Sequence, residues 1–434
     1  MKLHLWAAAA LLCLCLAGCT QTPADGWVTT EKGTFYRRDG AFLEGWQEID
    51  GSRYYFNEES RQAGETFAMV TGWMDLNDQV FYLGTDGVVV TGRVTINGSD
   101  YFFDKNGVLR TGWLELDGKL CYIKADGSMA TGWLDDGMAR YYLREDGTPL
   151  TGWQELSGKQ YCFREDGSMV SGWLEEEGRR FYFGIDGSLA KGMLFVDGKG
   201  YYFREDGTPH TGWLTLDERT YYFDFQGVMA VGPVKIDGVT HYFSPRGVKI
   251  LLVNPWNYLP ENYDPELVYI TNRDRMEVSC ADALNQMLSD CAAAGHSTTI
   301  ASGYRTQADQ EWLFQRKVNY YLDLGYSQSN AKTEAAKTIA IPGTSEHQLG
   351  LAVDISDVSY PYLDDAQADT PAQQWLMAHC HEYGFILRYP KDTTHITGII
   401  YEPWHYRYVG VDIATEIMEK GITLEEYLGA VPNS

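Results

Sequence analysis

Two short stretches of this sequence hold residue types that do chemistry. In Ser345-Glu346-His347-Gln348-Leu349-Gly350-Leu351-Ala352-Val353-Asp354, a histidine and an aspartate stand seven residues apart. Leu351, Val353 and Ile355 alternate with Ala352 and Asp354, the pattern of a buried strand with one acid set into it. An unpaired carboxylate there would be costly, so a paired charge or a metal ion is expected beside it. The second stretch, Tyr401-Glu402-Pro403-Trp404-His405-Tyr406-Arg407-Tyr408, reads as another strand and adds a glutamate and a second histidine. The combination suggests one zinc ion held by His347, Asp354 and His405, with water in the fourth position. Three protein ligands and one open position is the catalytic pattern for zinc. Glu402 then serves as the general base for the water. Arg305, in Ser302-Gly303-Tyr304-Arg305, offers fixed donors to a carboxylate or a developing oxyanion. On a flat strand residues 402 and 405 would face opposite sides. Pro403 cannot donate to a ladder, so the backbone is expected to bend there.

Several elements must position these groups. Helices are expected over 279–294 (Ser279 as N-cap, Gly295 as stop), 308–324, 331–339 and 371–383. A short strand is expected over 299–302. Trp404 and Tyr389 could line a pocket or simply fill core.

The ordered motifs carry a resemblance. Ser302-Gly303-Tyr304-Arg305, the stretch from Ser345 to Asp354, Phe385-Ile386-Leu387-Arg388-Tyr389-Pro390, Ile396-Thr397-Gly398 and Glu402-Pro403-Trp404-His405 resemble the VanY-type D-alanyl-D-alanine carboxypeptidases. The resemblance runs from about Leu251 to Gly410. It implies an α+β zinc peptidase domain over 250–434 that acts on peptidoglycan stem peptides. It also implies His347, Asp354 and His405 as ligands, Glu402 as base, and Arg305, Gln310 and Ser345 against substrate. Read without the resemblance, Gln310 and Ser345 could equally be a helix-surface residue or a cap.

Upstream the sequence is periodic. Glycine followed by tryptophan recurs at Trp46, Trp73, Trp113, Trp133, Trp153, Trp173 and Trp213, and from Gly72 to Gly232 the glycine returns every 20 residues. The longer first step, Gly45 to Gly72, predicts an insertion around Glu58 to Phe67. Each unit carries an aromatic strand such as Tyr201-Tyr202-Phe203 and Asp-Gly turns, as at Asp117-Gly118 and Asp126-Gly127. The reading is an all-β solenoid of stacked hairpins over 26–249. It resembles the cell-wall-binding repeats of choline-binding proteins, glucan-binding glucosyltransferases and clostridial toxin tails. In choline-binding versions a tryptophan opens the aromatic strand and completes a cage for the ammonium. Here that slot holds Arg53, Arg140, Gln160, Arg180, Gly200 or Thr220, which favours a sugar-type ligand. Trp113, Trp133, Trp153, Trp173 and Trp213 are the candidate carbohydrate-binding residues, although such rings also serve as solenoid core.

The chain of 434 residues, 44% hydrophobic and 22% charged, is long enough for several cores. Its net charge of −25 argues against nucleic acid as a partner. Lys2, the apolar run Leu5 to Leu16 and Leu16-Ala17-Gly18-Cys19 resemble a lipoprotein signal. That resemblance implies cleavage of 1–18, a lipid on Cys19, and a short lipidated linker over 19–25. The protein would then sit outside the bacterial membrane, anchored in its outer leaflet and associated with the wall. Cys121, Cys162, Cys280, Cys291 and Cys380 show no Cys-x-x-Cys spacing and read as buried free thiols. Three functions remain in view: a D-Ala-D-Ala carboxypeptidase, an L,D-carboxypeptidase on tetrapeptide stems, and a non-catalytic wall-binding protein or adhesin.

Overall fold

The computed structural model describes residues 24–57 and 67–432. The signal segment 1–18, Cys19 and most of the insertion near Glu58 lie outside the described residues.

The array is a run of antiparallel hairpins, two-stranded except at its first and last described sheets, which have a third strand. Gly112–Leu116 pairs with Lys119–Ile123, which sets Trp113 opposite Tyr122. Gly152–Leu156 and Lys159–Phe163 repeat that register. Asp117 and Gly118 close their hairpin with φ of 51° and 76°, the left-handed pair that a tight hairpin turn needs. The other Asp-Gly pair does a different job from the one expected of it. It joins one hairpin to the next, and the bend is made by the aspartate side chain: Asp126 Oδ1 accepts from the Ser128 amide at 2.9 Å. At Gly127, φ is 82° and a Cβ would collide with the Tyr101 ring of the preceding hairpin. The connectors bond back to that preceding hairpin, Leu109 N to Val80 O at 2.8 Å and Met169 N to Arg140 O at 2.7 Å. The last apolar residue of each second strand, such as Ile123, Phe163, Phe203 or Phe243, is buried. The third residue of the aromatic strand is therefore core.

The chain divides into two compact units, residues 1–174 with 182–189, and residues 175–181 with 190–434. Within the second, packing runs across the point where the period stops. Tyr242 and Ile250 join Leu252, Ile413, Ile417 and Leu424 in one apolar cluster. Arg219 pairs with Asp412 at 3.0 Å, and Arg246 with Glu416 at 2.6 Å.

The α+β domain is built on a four-stranded antiparallel sheet, in the order Thr298–Ser302, Ala352–Asp357, His405–Tyr408, Phe385–Leu387. Helices Val278–Ala293 and Pro371–His379 cover one face, where Cys280, Leu284, Met287 and Leu376 meet Val353, Ile355 and Tyr406. Each such side chain stabilises by about 1.5–3 kcal/mol when fully buried. Alternation along the strand leaves Asp354 for the other face. Helices Gln307–Asp323, Gln328–Ala336 and Val411–Lys420, with the short Thr394–Thr397 and Leu424–Tyr427, add to the domain.

Several boundaries differ from expectation. The first helix is capped by Glu277, not Ser279, because the longer carboxylate reaches forward to the Ser279 amide at 3.0 Å. The third helix starts at Gln328, capped by Ser327, and stops at Ala336. The last strand begins only at His405. Glu402 to Trp404 form a turn, with the His405 amide donating to Glu402 O at 3.1 Å, which is the bend expected at Pro403. The five cysteines are free and buried.

Candidate metal centre and catalytic cavity

His347 sits on a 3-10 turn, Glu346–Leu349, that ends at Gly350 with φ of 76°. A Cβ there would meet the Glu277 backbone at 3.1 Å, so only glycine lets the chain turn into the strand at that point. Asp354 follows in the strand, and sheet register sets it opposite His405 on one side and Ser302 on the other. Facing strand residues lie close enough for their side chains to meet.

The ligand atoms of His347, Asp354 and His405 all lie within 4.8 Å of one another. His347 Nε2 is 3.1 Å from Asp354 Oδ2, and His405 Nδ1 is 3.0 Å from Oδ1. His347 Nδ1 lies 2.8 Å from Gly303 O. A carbonyl can only accept, so that nitrogen carries the proton and Nε2 keeps its lone pair for a metal. Arg305 donates to Asp354 Oδ2 at 2.7 Å and to Ser302 Oγ at 2.9 Å. Glu402 Oε2 stands 3.6 Å from His405 Nδ1.

The electrostatics fit a cation. Burial, with help from Arg305, lowers His347 to about 4, so it is neutral and ready to ligate. Burial alone would raise Asp354, but the two histidines and Arg305 outweigh it and hold the carboxyl well below its usual range. Burial would likewise lower His405, yet its hydrogen bond to Asp354 and the Glu346 carboxylate 3.7 Å away raise it to about 9. Burial pushes the Glu402 carboxyl up to about 8, where it can exchange a proton near neutrality. Two imidazoles and one carboxylate, converging and buried, suit zinc.

These groups open into a cavity of about 380 Å³, lined also by Ser345, Tyr389, Trp404 and Lys317. Tyr389 and Trp404 are thus both buried and pocket-lining. Gln310 stands behind the wall, fully buried, its Nε2 donating to Ala340 O at 2.7 Å. Ala340 itself lines the cavity. Sequence reasoning missed Lys317 and a buried charge cluster of Glu346, Arg388, Arg407 and Glu425. The arginines left a signal: each follows apolar or aromatic strand residues, where an arginine needs a buried partner.

In the array, Trp153, Trp133 and Trp213 are 36%, 41% and 40% exposed, and Trp113 and Trp173 are half-buried. Trp133 meets Tyr142 of its own hairpin at 5.2 Å and Tyr161 of the next at 5.1 Å, both edge-on. A cation of the chain itself lies over several of the rings: Arg53 at 3.8 Å from the Trp46 centroid, Arg140 at 4.9 Å from Trp133, Lys249 at 4.9 Å from Trp213.

A sheet and the turns beside it that present two histidines, an aspartate and a buried glutamate to one cavity define a metallopeptidase-type centre. The D-alanyl-D-alanine carboxypeptidase (VanY) profile matches residues 273–411, and the chain belongs to that family of zinc-dependent peptidases. Choline-binding repeat profiles match residues 150–192 and 210–247, and a cell wall binding repeat profile matches 44–59 and 94–109. A D-alanyl-D-alanine carboxypeptidase of Enterococcus faecalis is 42% identical over 179 residues, 41% of this chain and 65% of that protein. The YodJ protein of Bacillus subtilis is 35% identical over 193 residues, 42% of this chain and 67% of that one. The chain therefore spans about two thirds of the length of these relatives. A solved Zn(II) complex of a vancomycin-resistance D,D-pentapeptidase VanY is 42% identical over 41% of this chain and 97% of that one, with a TM-score of 0.38.

Proposed function

We propose that the C-terminal domain removes the terminal D-alanine from peptidoglycan stem peptides. His347, Asp354 and His405 hold one zinc ion. Bound there, zinc polarises the scissile carbonyl and lowers the pKa of water toward about 7. Glu402 takes the proton from the attacking water onto its carboxylate and delivers it to the leaving amine. Arg305 keeps Asp354 oriented and offers its remaining donors to the substrate's oxyanion or carboxylate. Lys317 and Ser345 bind the peptide along the cavity, and Gln310 supports the wall through Ala340. The observation that carries this reading is the buried His–Asp–His cluster lining the cavity, with Glu402 beside it.

The array holds the enzyme to a wall polymer and raises the local concentration of stem peptide. The cations already lying over Trp46, Trp133 and Trp213 support a sugar-type ligand over choline. A lipid on Cys19 anchors the chain at the outer face of the membrane. Loss of radiolabelled lipid from Cys19→Ala, with the wild type labelled, is the expected result.

Glu402→Gln tests the chemistry. The variant is expected to keep stoichiometric zinc and lose about 10²–10⁴-fold in kcat on pentapeptide. Near-wild-type cleavage would sink the mechanism. Mass spectrometry of digested muropeptides reads the bond, with loss of one D-alanine from pentapeptide but not from tetrapeptide expected.

A further inference from the structure

Glu346 adjoins the ligand His347, lines the same cavity, and is buried against a cluster of charged side chains. Its Oε1 accepts from Arg388 Nε at 2.9 Å and from Arg407 Nη1 at 2.8 Å. Its Oε2 has no hydrogen-bond partner, and neither has His405 Nε2. These two buried atoms face each other at 3.7 Å. A buried carboxylate oxygen and a buried ring nitrogen left unpaired each cost free energy, so their opposition calls for a use.

The ligand geometry supplies one. If His405 gives Nδ1 to a metal, the neutral ring carries its proton on Nε2 and becomes a donor there. We propose that Glu346 is a positioning residue of the metal centre that holds the His405 imidazole by Nε2–H, and that the Arg388–Glu425 pair holds Glu346. The proposal rests on the reading of His405 as a metal ligand. His347 is backed by a carbonyl and His405 by a carboxylate, which raises the basicity of the ring.

The backing reaches past the matched region 273–411 on both sides. Arg388 forks onto both carboxylate oxygens of Glu425, at 2.9 and 2.6 Å, in the short helix Leu424–Tyr427. Asn254 Nδ2 donates to Glu425 Oε1 at 3.0 Å, and Arg407 Nη2 donates to Leu251 O at 2.8 Å. Two acids and two arginines make the cluster neutral, and all four are buried. Segments that enter and leave the domain thus brace a ligand of the metal.

The test uses the full chain and reads the metal rather than peptide cleavage. Glu346→Met is expected to weaken zinc about 10- to 100-fold in chelator competition and to change the visible spectrum of the cobalt-substituted protein. Because this leaves an arginine unbalanced, Glu346→Met/Arg407→Met restores neutrality and should show the same weakening. A folded double variant with wild-type zinc affinity and cobalt spectrum would overturn the proposal. The zinc-loaded wild type, labelled with ¹⁵N-histidine, needs no variant: a strongly downfield Nε2–H proton on His405 is expected, and its absence would overturn the proposal. A wild type that binds no zinc would overturn the metal reading itself, and the proposal with it.

Discussion

The array and the α+β domain use charge in opposite ways. In the array, Lys119 and Asp146 join neighbouring hairpins across 3.0 Å with side chains 61% and 47% exposed. Behind the proposed metal centre, Arg388 and Glu346 are 2.9 Å apart and both 0% exposed. An exposed pair is screened and contributes little. A buried pair carries a large desolvation cost and is stable only when every partner is present. The array can therefore vary its ion pairs from repeat to repeat, while the domain cannot lose one member of its cluster. The difference follows from the tasks. The array needs a repeated surface, and the centre needs three ligand atoms held in one geometry.

The largest effect expected from this contrast is at Arg388. Arg388→Met leaves Glu346 and Glu425 facing each other without their shared cation. Breaking a buried pair from one side costs about 3–5 kcal/mol. Calorimetry should show a large drop in the transition that contains the α+β domain, with hydrogen exchange across the hairpins of residues 72–143 unchanged. Equal loosening of both regions would break the contrast.

How far each region can be read from sequence follows the same line. The hairpins were legible because what forms each one is local and repeats: a period of 20, a left-handed turn pair at Asp117-Gly118, an apolar residue at each strand end. The candidate ligands and base could be picked out together because His347 and Asp354 share one short stretch and Glu402 and His405 another. What brings the two stretches together is the register Asp354 opposite His405, a pairing across 51 positions that the sequence carries only as motif order. The cluster behind them was not legible. Leu251, Asn254, Glu346, Arg388, Arg407 and Glu425 come from separate elements, and nothing in their spacing reports that they meet. Gln310 adds a contact that motif order does not report: its helix turns the amide nitrogen toward Ala340 O.

A smaller effect is expected on the array's ligand choice. The guanidinium of Arg53 over Trp46 and that of Arg140 over Trp133 occupy ring faces that an ammonium ligand would use. A cation–π contact at an exposed site is worth about 0.5–1 kcal/mol. Wild-type protein is expected to bind walls stripped of choline as well as native ones. The double variant Arg53→Gln/Arg140→Gln should gain a choline-dependent change in tryptophan fluorescence, roughly 2- to 5-fold tighter than the wild type's. Elution of the wild type from walls by free choline would reverse the assignment and leave the two regions alike in having sealed, specific sites.

The smallest effect concerns the exposed clips themselves. Asp146 accepts from Thr148 Oγ1 at 2.6 Å and from Lys119 Nζ at 3.0 Å. Asp186 repeats this with Ser188 and Lys159. These hydrogen bonds, the hydroxyl's first, lower both carboxyls from 3.8 to about 2. A folded-state value below the unfolded one means that the clips stabilise fully above about pH 4 and are lost as pH falls through about 2. Both carboxylates are open to water, so the stabilisation is small and weakens further with salt. Carboxyl titration by NMR should find both groups near 2 in the wild type. In Lys119→Met/Lys159→Met they should rise only part of the way to 3.8, because the hydroxyl bonds remain, and the melting temperature should barely move. Ordinary values in the wild type would show that the clips do not form in solution. A large fall in melting temperature would show that exposed pairs in the array carry the kind of weight that burial gives Arg388 and Glu346.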